Sequence, residues 1–101
     1  MPKITVRVSH ALDPAAAFAK VKPALEKTAH DFQGQDLQIA ATETSATFSF
    51  KSLGFTIKGD AQALPGEVVV NVELPFAAMM FKDKAEKGIE KNVSHALKNL
   101  E

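Results

Sequence analysis

The chain has 101 residues, 46% of them apolar, with 12 basic and 12 acidic side chains and no cysteine. That suits one domain with one core and is too apolar for a disordered segment. Zero net charge argues against nucleic acid as the main partner, because duplex binding is dominated by neutralising phosphates, and the missing thiols exclude disulfides and thiolate metal sites.

The opening Met1-Pro2-Lys3-Ile4-Thr5-Val6-Arg7 lacks the unbroken apolar stretch of a signal peptide, and no apolar run approaches the ~20 residues of a membrane-spanning helix. The expectation is a soluble, non-secreted protein without a transmembrane segment. Lys3 to Ser9 alternates, with Ile4, Val6 and Val8 on one side, as a half-buried strand does. Asp13-Pro14 is a helix start: Asp accepts from the first free amides and Pro fits the first helical position. Phe18, Val21, Leu25, Ala29 and Phe32 follow on one helical face. Pro23 interrupts them. It removes one hydrogen bond and predicts a kink near Ala19 to Pro23, or two short helices. Gly34 is expected to end the element.

Leu37 to Ala41 reads as a short strand with Leu37 and Ile39 inward, and Ser45 to Lys51 as a second with Ala46, Phe48 and Phe50 inward. Ser52-Leu53-Gly54 makes a turn, after which Phe55 and Ile57 alternate with Thr56 and Lys58. Gly59 to Gly66 is expected to be a loop, with Gly54 and Gly59 as turn or bulge residues. Val68, Val70, Val72 and Leu74 then form the inward side of a fifth strand. Every strand has one apolar and one polar face, the pattern of an antiparallel sheet covered on one side only. Short turns make strands two to five a meander. The first strand is expected beside the fifth, because otherwise both would be long exposed edges. In that pairing Arg7 and Glu73 would be cross-strand neighbours.

Pro75 stops the fifth strand. Beyond it Ala85, Ile89, Val93, Ala96 and Leu100 share a stripe about one helical face wide. Glu86 with Glu90, and Lys87 with Lys91, are like-charge pairs four apart, so packing must stabilise this helix. The predicted fold is α+β, in the order β-α-β-β-β-β-α: one curved antiparallel five-stranded sheet with two helices on one face, a helix-grip-like arrangement.

Candidate chemistry is sparse. His10, His30 and His95 have no second ligand at short spacing, so no metal site or cofactor is indicated. His10 stands at a strand-to-helix corner, where bonding to backbone is the plain reading. Phe76-Ala77-Ala78-Met79-Met80-Phe81 is the unusual stretch. It is apolar nearly all round, so it is either buried on several sides or meets something apolar, and Met suits irregular apolar contacts. Phe76, Met79, Met80 and Phe81 are the candidate binding residues, for a partner chain, a homodimer or a lipid-like surface. Zero net charge also gives little protection against self-association.

The residues Met1-Pro2-x-Ile4-x-Val6-x-x-x-His10-x-Leu12 open a pattern that continues through Phe48-x-Phe50, Gly54 and Gly59 bracketing a strand, and Val70-x-Val72-x-Leu74-Pro75. It ends in a Lys/Glu/Ile-rich helix carrying Ile89 and Leu97. Over most of its length the chain resembles the short polyhydroxyalkanoic acid system proteins of bacteria. That resemblance implies a cytoplasmic bacterial protein linked to polyester storage, at the granule surface or in its regulation. It brings no catalytic residue; His10, Gly54 and Gly59 carry over as family positions without a role. The implied function is non-enzymatic binding, to the polyester granule surface or a coat protein, through the apolar start of the last helix. The alternative is a carrier holding a small apolar ligand between the sheet and that helix, over Phe48, Phe50 and Phe55. An enzyme would need His10 to meet a polar partner in a cleft.

Overall fold

Alternation of apolar and polar side chains carries straight into pairing. The computed structural model describes residues 3–98. Strands β1 (Lys3–Ser9), β2 (Gln35–Ala41), β3 (Ser45–Ser52), β4 (Phe55–Leu64) and β5 (Glu67–Glu73) form one antiparallel sheet in the order β1-β5-β4-β3-β2. Two α-helices, α1 (Pro14–Asp31) and α2 (Lys82–Lys98), complete the α+β order read from the sequence. β1 does lie beside β5, which is thereby hydrogen-bonded on both sides.

Residues Ile4, Val6, Ala46, Phe50, Ile57, Ala61, Val68, Val70 and Val72 turn to the covered face and are buried with Phe18, Val21 and Leu25 of α1 and Ile89, Val93 and Leu97 of α2. The other face carries Thr5, Arg7, Thr47, Lys58 and Gln62 in solvent. The two helices pack on each other, α2 over β1 and α1 over β4. Leu100, the last residue of the expected α2 stripe, lies outside the described residues, as do Met1 and Pro2 of the opening motif.

Five expectations need correction. First, β4 runs on through Gly59 to Leu64, and only Pro65-Gly66 remains as a turn. Gly59 is neither a turn nor a bulge residue: it pairs with Phe48 and Val72 inside the sheet. A Cβ there would come within 2.5 Å of the Phe48 ring, so the glycine makes room for that ring. Second, α1 passes unbroken through Pro23, because Val21, Ala24 and Leu25 on both sides of it are buried. Third, the helix ends before Gly34. Gln33 takes the left-handed position (φ 58°), its N–H bonding His30 C=O, while Gly34 N–H bonds Ala29 C=O at 2.7 Å. That double closure satisfies carbonyls the helix end leaves free.

Fourth, β2 starts at Gln35 and its register slips between Gln35 and Gln38, with Asp36 at φ 56°. The irregularity turns Leu37 outward to 36% exposure, where an inward side chain was expected. Fifth, Arg7 faces Val69 and bonds Glu67 at 2.7 Å, while Glu73 sits opposite Lys3.

Candidate functional site

Pro75 has no N–H to extend the ladder of β5, and its carbonyl accepts from Ala78 N–H at 2.9 Å. The chain therefore turns directly into a 3-10 helix, Phe76–Phe81, before the regular α2 begins at Lys82. A 3-10 segment stacks side chains every third residue. Its six residues divide accordingly. Ala78 is 2% exposed and lines the interior, and half-buried Phe81 lines it too. Phe76, Met79 and Met80 stand out at 72%, 46% and 80% exposure.

Beneath this segment lies a cavity of about 150 Å³, open on one side. Its floor is Phe48 and Phe50 of β3, Phe55 and Ile57 of β4, and Val70 and Val72 of β5. Leu25 and Ala29 of α1, with Phe32 just past its end, close one wall, and Ala85 and Ile89 of α2 the other. It is a hollow between the sheet and both helices, in place of a fully packed core. The floor includes Phe48, Phe50 and Phe55, the residues over which the alternative reading of the sequence would hold an apolar ligand.

The mouth brings together three junctions of the chain. They are the end of α1 at Asp31 to Gln33, the β3–β4 hairpin at Ser52 and Leu53, and the junction of the 3-10 segment with α2 at Phe81 and Lys84. The hairpin has two residues with positive φ, Leu53 at 52° and Gly54 at 86°. That geometry matches the strand twist and favours Asn-Gly or Asp-Gly. Leucine is an odd occupant, yet Leu53 is 62% exposed at the mouth. With Phe76, Met79 and Met80 it adds a fourth exposed apolar side chain at this end of the sheet. Sequence reading missed Leu53; the signal available was a leucine in a Leu-Gly turn where a polar residue fits better.

Polar groups at the rim are largely committed to structure. Thr28, the buried polar side chain of α1, donates to Ala24 C=O and accepts from the Asn92 amide, both at 2.8 Å. The Asn92 amide also reaches Asp31 at 3.2 Å and so clasps α2 to α1. Hydrogen bonds from Lys27 and then Asn92 hold the Asp31 carboxyl below its usual range. Ser52 donates to Phe32 C=O, tying the hairpin to the end of α1.

His10 is at the other end of the sheet. Nδ1 accepts from Leu12 N–H at 3.0 Å, which leaves the ring hydrogen on Nε2 to donate to Leu64 C=O at 2.8 Å. Its own N–H bonds Gly66 C=O. The ring thus pins the β1-to-α1 corner to the β4–β5 turn. Of the family positions, Gly54 is near the mouth, Gly59 supports the floor beneath Phe48, and His10 is remote from both. Among the described residues no helix is long and apolar enough to cross a membrane.

A long C-terminal helix held against an antiparallel sheet, with a hollow between, makes this a helix-grip α+β protein. The chain belongs to the family described as "putative polyhydroxyalkanoic acid system protein", whose model matches residues 4–97. Among solved structures it is similar to that titled "Crystal structure of Ara h 8.0201", at 17% identity and TM-score 0.50, over 97% of this chain and 99% of that one. At that identity the likeness speaks for the fold. A Thermus thermophilus protein, TTHA0849, aligns over 96% of this chain and 92% of its own at 16% identity and TM-score 0.44. A search of curated proteins finds no match.

Proposed function

We propose that this chain is a non-enzymatic interaction protein of bacterial polyester storage, working in the cytoplasm. It meets the polymer surface through Phe76, Met79 and Met80, with Leu53 at the same end of the sheet. The observation that carries this reading is the exposure of those three residues in a segment that buries only Ala78 fully. Apolar side chains gathered at one end of a soluble molecule mark a contact site. Family membership supplies the chemistry of the partner, an apolar polyester. Both ring nitrogens of His10 are engaged with backbone, which fits a structural role for that ring.

The test is co-sedimentation with protein-free polyhydroxyalkanoate particles. Met80→Glu should lower binding by about tenfold, because it presses a charge onto an apolar surface. Lys58→Glu, on the solvent face of the sheet, should bind as the parent does. Equal binding by both variants would remove the patch from the argument. Binding only to granules that retain their coat would reassign the contact to a coat protein. A dimer that Met80→Glu splits would assign it to a second copy of this chain.

A second reading, a carrier of a small apolar ligand, is supported by the cavity under the same segment.

A further inference from the structure

We infer that the cavity is a binding site for a medium-chain carboxylic acid, with its alkyl tail inside and its carboxylate at Lys84. The volume, about 150 Å³, and the Phe, Ile, Val and Leu lining set the tail. A hollow of that size and character has room for about six carbons. Burying them removes both hydrocarbon and cavity wall from water.

The mouth sets the head group. Asp31 is held by Lys27 and Asn92, Thr28 is bonded in both directions, and the Ser52 hydroxyl is given to Phe32 C=O. Lys84 is different. It lines the mouth, is exposed, and makes no hydrogen bond or ion pair within the described residues. The Gln33 side chain at the rim is likewise uncommitted. Since Lys27 already balances Asp31, Lys84 leaves the mouth with one unmatched positive charge beside an apolar hole. The complementary molecule has an apolar tail and one anionic oxygen pair, which an ammonium and an amide N–H can both hold. A neutral hydrocarbon would leave Lys84 unused. A larger anion would gain little from so small a hollow.

The experiment is an amide-shift NMR titration of the whole chain with butanoate, hexanoate, octanoate and decanoate, and with 1-octanol. Saturable shifts are expected at Phe48, Phe55, Ile57, Phe81 and Ala85. Affinity should rise by about fourfold per methylene and level off once the tail exceeds about six carbons. Lys84→Glu should weaken octanoate by about tenfold, turning attraction into repulsion at a half-open mouth, and leave 1-octanol unchanged. Lys58→Glu should alter neither. Absence of saturable shifts at the cavity residues would overturn the site. Equal loss of acid and alcohol in Lys84→Glu, or no loss of either, would overturn the carboxylate. The inference rests on the cavity and not on polymer contact, and the soluble acids and separate variant keep the two failures apart.

Discussion

A leucine held in the left-handed region costs about 1 kcal/mol against a residue at ease there. Leu53 carries that cost at φ 52° while exposing its side chain to water. Neither local preference nor burial explains it, whereas the proposed contact at the cavity mouth would. Strain of this kind is kept where the surrounding structure or a partner uses it. Leu53→Asn tests the point, because it creates the Asn-Gly sequence that a two-residue hairpin prefers. The variant should unfold at higher urea concentration, gaining about 1 kcal/mol, and should bind polyester particles less well. Gain of stability with full binding would make Leu53 a neutral surface residue. Gly59 shows the opposite economy: its missing side chain lets the Phe48 ring lie over β4, where a Cβ would stand 2.5 Å from it.

At the scale of elements, α1 departs most instructively from its local sequence. Pro23 leaves the carbonyl one turn before it without its usual partner and crowds that turn. The helix continues because Phe18 and Val21 before the proline, and Ala24 and Leu25 after it, are all buried on the sheet. Tertiary packing overrides propensity here. Pro23 is exposed, so replacing it disturbs no packing. Pro23→Ala should raise stability by about 1–3 kcal/mol, the restored hydrogen bond being partly offset by a freer unfolded chain. Chemical denaturation reads that directly, and a loss of stability would mean that the proline ring supports something it does not visibly touch. The same competition explains what the sequence concealed in β4. Gly59-Asp60 has turn chemistry, yet Ile57, Ala61 and Ala63 keep the inward alternation across it. Small residues carried that signal weakly, and they are small because α1 packs over this strand.

Across the whole molecule, strand alternation and helical stripes made the element order, the β1–β5 pairing and the single covered face readable in the sequence. The patch was readable as composition, but its division into inward Ala78 and Phe81 and outward Phe76, Met79 and Met80 depended on a 3-10 turn following Pro75. The hollow was not readable, since whether five phenylalanines fill or line a space is settled by fractions of an ångström in packing. That hollow divides the molecule energetically. β5 lies between β1 and β4 with Val68 and Val70 wholly buried, whereas the 3-10 segment covers a cavity and buries one small residue. Local stability should follow that difference. Native-state hydrogen exchange should find the β5 amides opening only with global unfolding, on the order of 5–15 kcal/mol. The amides of the 3-10 segment and of irregular β2 should open far more readily. Octanoate should slow exchange in the 3-10 segment and leave β2 as it was, because a ligand stabilises the form that binds it. Amides there as protected as those of β5 would show a rigid roof, and the hollow could then fill only through its open side.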